Sequence, residues 1–203
     1  MHSRLFEWGL RLAVAAALLQ FWVKACAIWL QHPDHPTLLA LLLTETLSVL
    51  LVLLSRHPIT RDWHPAALAT SLPATFYFLA LDLGGGRHLL PDRFTTALML
   101  SGALWQIFAK LSLGRAFGLL PANRNIVTHG AYRVVRHPIY LGYLISHSGF
   151  LLAHASLRNL LIYGGLYVLQ WMRIEREERW LARQDVYRVY KGCVRWRLLP
   201  GLY

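Results

Sequence analysis

The sequence predicts an all-α protein, a polytopic membrane bundle of about six transmembrane helices, with five also possible. Three observations predict this fold class. The chain has 203 residues, of which 56% are hydrophobic. Several apolar runs approach the ~20 residues that cross a bilayer as a helix. The charged residues fall mostly between those runs. Nucleic-acid binding would explain the excess of 21 Lys and Arg over 10 Asp and Glu but not the apolar runs, so we expect no nucleic-acid partner.

Six apolar runs are read in order along the chain as helices. The last two are short for a hydrocarbon layer about 30 Å thick, so we expect them to extend into flanking polar residues or to lie where the membrane is thinner. The first is too long and too rich in Trp to be a cleaved signal peptide. The runs are approximately Trp8–Leu30, Leu38–Leu54, Pro65–Leu83, Phe94–Leu111, Ile139–Ala153 and Leu157–Met172.

We expect one integrated domain with two regions. Residues 1–112 form a transmembrane scaffold of four helices, and residues 113–203 form the region that carries the chemistry. Between the fourth and fifth runs, the linker Gly114–Arg136 contains turn-forming Pro, Asn and Gly residues, which predict an ordered loop with short helical turns. The last helix is expected to continue past the membrane over Arg173–Arg183, because that segment is charged.

The distribution of Lys and Arg predicts the orientation in the membrane. Most of them lie at the N-terminus, in the second loop, in the fourth loop (where Lys110 is counted) and in the C-terminal tail, whereas Arg87, Arg93 and Arg158 fall on the other side. The rule that cytosolic loops carry the positive charge then places both termini in the cytosol. We therefore expect a multi-pass protein of the inner membrane in a bacterium or of the endoplasmic reticulum in a eukaryote.

Two charged residues fall inside the apolar runs. Lys24 lies near the outer end of the first run, and Glu45 lies at a matching depth in the second. An ionisable group in a membrane is costly unless it is paired or hydrated. We expect a structural Lys24–Glu45 ion pair, with a role in a substrate cavity as the alternative.

The segment from Arg136 to Gly142 reads Arg-His-Pro-Ile-Tyr-Leu-Gly. Pro138 suits the first turn of the fifth helix, which places Arg136 and His137 beside the free backbone N–H groups and the positive end of the helix dipole. This position favours an anionic group such as the carboxylate of a bound amino acid. Gly142, one turn further, allows a ligand or a neighbouring helix to approach closely. The alternative interpretation is a basic loop that contacts lipid headgroups.

A longer pattern surrounds this segment and resembles a known family. It consists of Gly130, Tyr132, Arg136, His137, Pro138, Tyr140 and Gly142, a hydrophobic hairpin, Arg173, Glu177 and Glu178, and then Tyr187, Tyr190, Val194, Arg195 and Pro200. In this order the residues resemble the isoprenylcysteine carboxyl methyltransferase family, which is related to the phospholipid N-methyltransferases. The resemblance covers roughly residues 113–203. The chain departs from many members at residues 183–186, where a Phe-Gly pair is absent.

The resemblance implies a methyltransferase that uses S-adenosylmethionine, with S-adenosylhomocysteine as product, in a cytosolic pocket formed by the C-terminal half. It implies a lipophilic or lipid-modified acceptor in contact with membrane lipids, such as the carboxylate of isoprenylcysteine or a similar amphiphile. Arg136 and Arg173 are then the candidate catalytic residues, because a guanidinium can orient a carboxylate by two hydrogen bonds. The candidate cofactor-binding residues are Tyr132, His137, Tyr140, Gly142, Glu177 and Glu178.

Several alternatives stay open at this point. The acceptor could be a phospholipid or other amine, a hydroxyl or a thiol. A membrane sterol or enone reductase that binds NADPH has similar C-terminal helices, but a phosphorylated dinucleotide would prefer basic partners to the Glu177–Glu178 pair. A transporter subunit or scaffold would bind no such cofactor. We expect no metal site, because His129, His137, His147 and His154 lack ligand spacing.

Overall fold

The computed structural model describes most of the chain: residues 2–31, 33, 36–56, 60–61, 69–70, 73, 77–82, 86–117, 122–123 and 126–203. The helices among them are α1 (His2–Gln31), α2 (Pro36–Leu54), α3 (Asp92–Leu113), α4 (Pro138–Ala153), α5 (Leu157–Leu181) and α6 (Asp185–Cys193).

The predicted all-α membrane bundle is confirmed. The first, second, fourth, fifth and sixth predicted runs coincide with α1 to α5, and α5 continues past its apolar part as expected. About half of the third run, Pro65–Leu83, lies outside the described residues, and within the described part Tyr77–Ala80 forms a 3₁₀ turn. By length and composition, three of the described helical segments could cross a membrane; they are Arg11–Gln31, Pro36–Leu54 and Asp92–Ala116.

The linker between α3 and α4 contains the short turns that its sequence predicts. Its described residues form 3₁₀ turns at Gly114–Ala116 and Gly130–Arg133. A two-residue strand β1 (Thr60–Arg61) pairs antiparallel with β2 (Ala122–Asn123), which connects the linker to the loop after α2. Near the two ends of the linker, the carbonyl of Arg115 accepts from the backbone nitrogen of Arg56 at 2.7 Å and the backbone nitrogen of Ala131 donates to the Ser112 hydroxyl at 3.1 Å. These contacts position the residues that precede α4.

Helices α3 and α4 pack closely because glycines line their contact. A Cβ atom on Gly142 would lie 2.5 Å from Cγ of Gln106, and one on Gly102 would lie 2.5 Å from the backbone nitrogen of Ser146. The Ser146 hydroxyl donates to the carbonyl of Met99 at 3.1 Å and accepts from Nε2 of Gln106 at 3.3 Å. Small residues with hydrogen bonds across the contact are typical of helices that pack in membranes.

The predicted Lys24–Glu45 pair is wrong, because another lysine lies beside Glu45. Lys24 is exposed, and the electrostatic partner of Glu45 among the described residues is Lys110. Lys110, counted above as a loop residue, lies in α3 and is 0% exposed. Its Nζ donates to the carbonyl of Thr44 at 3.1 Å and to the hydroxyl of Ser48 at 2.8 Å. The buried cation therefore joins α3 to α2.

At the opposite end from residues 136–137, a buried asparagine closes the α4–α5 hairpin. Ser156 caps α5, because its hydroxyl accepts the backbone N–H of Asn159 at 3.1 Å. The side-chain amide of Asn159 donates to the carbonyls of Asp82 at 3.0 Å and His154 at 2.9 Å, while its oxygen accepts from the nitrogen of Asp82 at 2.9 Å. These bonds hold the hairpin turn against residues 81–82, so the register of α5 on α4 is fixed at this end.

Candidate active site

The C-terminal tail runs beside the residues that precede α4. The backbone nitrogen of Arg136 donates to the carbonyl of Trp196 at 2.9 Å, and that of His137 donates to Arg197 at 2.8 Å. Pro138 is the first residue of α4, as predicted. The backbone N–H groups of Arg136 and His137 are therefore satisfied by the tail, so these two groups are not available to bind an anion.

Arg136 is buried and bonded through its whole guanidinium group. Its Nε and Nη2 donate to the two carboxylate oxygens of Glu178 at 2.7 and 3.3 Å. Its Nη1 donates to the carbonyls of Val194 and Arg195, both at 2.7 Å. Arg136 is 6% exposed and Glu178 is 3% exposed. This side chain therefore connects the start of α4, the end of α5 and the tail.

Glu178 is surrounded by positive charge. Besides Arg136, Nε2 of His137 lies 3.3 Å, Nε of Arg197 3.2 Å and Nζ of Lys191 3.7 Å from its carboxylate oxygens. Burial alone would raise the pKa of Glu178, but the hydrogen bonds and charges of His137 and Arg136 together lower it to about 2. The carboxylate is therefore ionised at neutral pH and compensated within the protein.

Glu177 lies on a different side of α5, in a second cluster. Arg173 precedes it by one helical turn, and the Arg173 guanidinium carbon is 5.7 Å from the ring centre of Tyr140. The charges of both Arg173 and Glu177 act on the phenol of Tyr140. Burial, and to a lesser extent the charge of Glu177, raises the pKa of Tyr132. Tyr132, Tyr140, Arg173 and Glu177 thus form one cluster, the Glu177 cluster, with two phenols, one cation and one anion.

The paired tyrosines of α6 pack against one side of the Glu177 cluster. Tyr187 and Tyr190 are 3% and 5% exposed and cluster with Val194, and Tyr132 packs against the cluster. The Tyr190 hydroxyl donates to the carbonyl of Tyr132 at 2.7 Å. Burial raises the pKa of both α6 phenols, which therefore stay neutral. Their role is to hold Tyr132 in place.

Arg197 is a network residue that the sequence analysis missed. It bonds Glu178, forms an ion pair with Glu175 and donates to the Tyr203 hydroxyl at 2.6 Å. Glu175 also lies 3.9 Å from Nη2 of Arg179, one helical turn further along α5. The available signal was the basic tail after Val194, but many arginines occur there and sequence alone does not indicate which one turns inward.

His147 lies in a separate polar cluster, and the sequence analysis considered it only as a metal-ligand candidate. It lies in α4, 7% exposed, and its ring nitrogens are hydrogen-bonded to the hydroxyls of Tyr77 at 2.7 Å and Tyr167 at 3.0 Å. The Tyr143 ring stacks on it with ring centres 5.6 Å apart. The two phenols hold the imidazole in the interior of the bundle. His147 lies one helical turn beyond Tyr143 and outside the Glu177 cluster.

The structure thus divides the predicted site residues into three groups. Four of them form the Glu177 cluster described above, namely Tyr132, Tyr140, Arg173 and Glu177. Arg136, His137 and Glu178 form the closed ionic network beside it. Gly142 faces α3. Of the two neighbours expected at this glycine, a ligand or another helix, the structure shows the helix. A contact between Gly142 and the cofactor stays a prediction.

Two comparisons with known proteins bear on this chain. Residues 94–188 match the family model of phospholipid methyltransferases. A curated relative, protein-S-isoprenylcysteine O-methyltransferase A of Arabidopsis thaliana, is 33% identical over 101 residues, which cover 46% of this chain and 50% of that protein. The chain therefore spans about half the length of the curated relative that it matches.

The residues matched by the family model begin in α3 and end in α6. They contain the α4–α5 hairpin, the Glu177 cluster and the Arg136–Glu178 pair. They leave out α1 and α2, as the resemblance of the C-terminal half alone predicts. Residues 94–188 of this chain are therefore similar to the phospholipid methyltransferase family, and the chain also resembles an isoprenylcysteine O-methyltransferase.

Proposed function

We propose that this protein is an integral membrane methyltransferase that uses S-adenosylmethionine to methylate a lipophilic acceptor at the cytosolic face. The observation that carries the proposal is the cluster of Tyr132, Tyr140, Arg173 and Glu177 within the matched region. It places a carboxylate, a guanidinium and two aromatic faces at one end of the α4–α5 hairpin. That end is the one predicted to face the cytosol.

The residues of the cluster fit the chemistry of this cofactor. Its amino-acid part carries an ammonium and its ribose carries hydroxyls, and the Glu177 carboxylate can accept hydrogen bonds from either. The rings of Tyr132 and Tyr140 offer apolar faces for an adenine. When bound, S-adenosylmethionine supplies a methyl group activated by its sulfonium. The contribution of the chain is to align the acceptor with that methyl carbon and to exclude water.

The two glutamates have separate roles in this proposal. Glu178 is held by Arg136, His137 and Arg197, so a ligand ammonium would have to displace cations that already compensate it. Glu177 is half-buried and faces the tyrosine cluster. We therefore assign the cofactor contact to Glu177. Arg136 and Glu178 act as positioning residues, which hold the tail and α6 against the Glu177 cluster.

The proposed acceptor is a carboxylate on an amphiphile such as isoprenylcysteine. Methylation of a carboxylate requires no general base, whereas an amine or hydroxyl acceptor loses a proton. The imidazole of the site, His137, is buried and bonded to Glu178, so it is poorly placed to take that proton. Arg173 can orient a carboxylate by its planar fork. A phospholipid amine is the second candidate, with Glu177 as its base, since the matched family is named for phospholipid substrates.

Calorimetry on the detergent-solubilised protein tests the cofactor. We expect binding of S-adenosylhomocysteine and none of NADPH. Glu177→Gln removes a charge-assisted hydrogen bond of about 1.5–3 kcal/mol, so the dissociation constant should rise roughly ten- to hundredfold. Asp185→Asn, which removes an exposed carboxylate of α6, is the matched control and should bind normally. Binding of NADPH without S-adenosylhomocysteine would instead indicate a reductase.

Arg173→Lys tests the acceptor role. Lysine keeps the charge but loses the planar fork, so turnover should fall while S-adenosylhomocysteine binding stays close to normal. Transfer of a labelled methyl group to synthetic prenylated cysteine and to phosphatidylethanolamine separates the two candidate acceptors. If Arg173→Lys weakens cofactor binding as much as Glu177→Gln while the affinity for acceptor is unchanged, Arg173 belongs to the cofactor site and the assignment is wrong.

A further inference from the structure

Helix α6 has two apolar sides, and the described chain covers one of them. Tyr187 and Tyr190 lie on the covered side. Val186 and Val189 are 64% and 69% exposed, and Cys193 is exposed on the same side one turn later. These positions are spaced by three and four residues, so they form one stripe along the helix. The stripe lies outside the predicted transmembrane runs, where an exposed aliphatic surface calls for a partner.

A groove runs beside this stripe. It has a volume of about 640 Å³, and its other wall belongs to the linker before α4. The aliphatic wall consists of Val186, Val189 and Val194, and the linker contributes Thr128 and the exposed Arg133. An apolar trough that carries a guanidinium suits an amphiphile with a negatively charged head.

The chain connectivity places the groove beside the start of α4. Three residues after Cys193, the carbonyl of Trp196 accepts a hydrogen bond from Arg136, two residues before Pro138 begins α4. Arg133 lies five residues before the same helix start. Since α4 is predicted to enter the membrane there, the groove lies beside the layer that lipid headgroups are expected to occupy.

The charge of this segment selects the headgroup. Residues 183–195 contain one carboxylate, Asp185, and four cations, Arg183, Arg188, Lys191 and Arg195. Arg188 pairs with Asp185 and Lys191 lies 3.7 Å from Glu178, so Arg183 and Arg195 supply the remaining positive charge of the segment. Arg133 adds a further positive charge on the other wall. Basic residues at a membrane surface attract anionic lipids by about 1 kcal/mol each. Zwitterionic lipids lack the net charge that this surface complements.

We propose that the groove between α6 and the linker binds an anionic phospholipid of the adjacent leaflet, with an acyl chain along Val186 and Val189 and the phosphate at Arg133. The inference does not depend on methyl transfer. Tyr190 also lines the groove, and its hydroxyl donates to the carbonyl of Tyr132 at 2.7 Å. A lipid in the groove would therefore contact the residue that holds Tyr132 in place.

Native mass spectrometry of the full chain, released from neutral detergent with added phosphatidylglycerol or phosphatidylcholine, tests the proposal. We expect retention of phosphatidylglycerol in preference to phosphatidylcholine. Arg133→Gln should weaken phosphatidylglycerol retention roughly fivefold, as about 1 kcal/mol predicts. Val189→Ser should weaken it without a change of charge. Arg93→Gln is the matched control, because Arg93 is an exposed arginine at the other end of the bundle.

A fluorescence titration provides a second measurement. With Cys26 replaced by Ser, a polarity-sensitive dye on Cys193 should shift to the blue when phosphatidylglycerol is added and not when phosphatidylcholine is added. Equal responses to both lipids, or the same shift with inorganic phosphate alone, would overturn the proposal. Displacement of phosphatidylglycerol by S-adenosylhomocysteine would make the groove part of the cofactor site. An Arg93→Gln effect equal to that of Arg133→Gln would reduce the result to non-specific charge.

Discussion

Glu178 and Lys110 are both buried charged side chains, but the groups around them differ. Glu178, at the end of α5, has guanidinium, imidazole and ammonium groups within 3.7 Å of its carboxylate. Lys110, inside α3, donates to a carbonyl and a hydroxyl of α2, and Glu45 acts on it electrostatically. A buried charge is costly unless it is hydrogen-bonded and compensated, and the two regions meet this requirement in opposite ways.

The difference shows what each region contributes. The network around Glu178 consists mainly of charged groups from the linker, α5, α6 and the tail. Because these segments are far apart in sequence, the network holds together the end of the bundle that carries the candidate site. The contact of Lys110 is local to two apolar helices and depends on the backbone geometry of α2. We therefore expect the first region to depend on its balance of charges and the second to depend mainly on the hydrogen bonds that Lys110 makes to α2.

The largest effect is expected from Glu178→Gln. The substitution keeps the shape but leaves Arg136 buried without its counter-charge, and breaking a buried pair in this way costs about 3–5 kcal/mol. The melting temperature of the detergent-solubilised protein should fall strongly. Glu177→Gln is the matched neighbour, and it should change the melting temperature little while it weakens S-adenosylhomocysteine binding. Equal losses of stability in the two variants would contradict the division of roles between the glutamates.

Acid should reproduce part of this loss. The folded pKa of Glu178, about 2, lies below its ordinary value of 4.5, so the ionised carboxylate stabilises the fold above pH 4.5. That stabilisation is lost as the pH falls from 4.5 through 2, because the unfolded chain takes up the proton first. The effect at pH 3 is smaller than that of Glu178→Gln, since the folded carboxyl is still mostly ionised. Melting curves recorded over this range should be steeper in pH for the wild type than for Glu178→Gln.

An intermediate effect is expected from Lys110→Met, which preserves the length of the side chain. It leaves the Ser48 hydroxyl and the Thr44 carbonyl without their donor and should cost about 1–3 kcal/mol. Because Glu45 then loses its cation, Glu45→Gln in the same chain should restore part of the loss. A double-mutant cycle on melting temperatures measures this coupling. If the two substitutions add without coupling, Lys110 and Glu45 are not electrostatic partners.

The same two regions show what could be predicted from the sequence. The helices were found because apolar runs, turn residues and Pro138 at a helix start are local signals. The Lys24–Glu45 prediction failed because it matched depths in a hairpin of α1 and α2 alone. The actual cation comes from α3, which packs on α2 from the other side. Lys110 also looked like a loop residue because it lies close to the end of its run.

The candidate site was predicted as a set of residues but not as an arrangement. The family pattern indicates that the residues from Tyr132 to Glu178 matter, yet it does not distinguish Glu177 from Glu178, which are adjacent in the sequence. Their side chains point about 100° apart on an α-helix, so one enters the ionic network and the other faces the tyrosines. That distinction, and the inward turn of Arg197, depend on how the tail packs, for which the sequence carries no local signal.

The smallest effect is expected at the glycine contact of α3 and α4. Gly142→Ala adds a Cβ that would lie 2.5 Å from Gln106 and 3.0 Å from the Gly102 carbonyl, so the helices must separate. Overpacking of this kind costs about 1–3 kcal/mol, partly offset by the better helix propensity of Ala. Gly164→Ala in α5 is the control, because nothing lies within 4 Å of its added Cβ, and it should be neutral or slightly stabilising. A lower melting temperature for Gly142→Ala with normal S-adenosylhomocysteine affinity would assign Gly142 to helix packing. An unchanged melting temperature with weakened binding would assign it to the cofactor instead, and the contact between the helices would then be less strict than the geometry indicates.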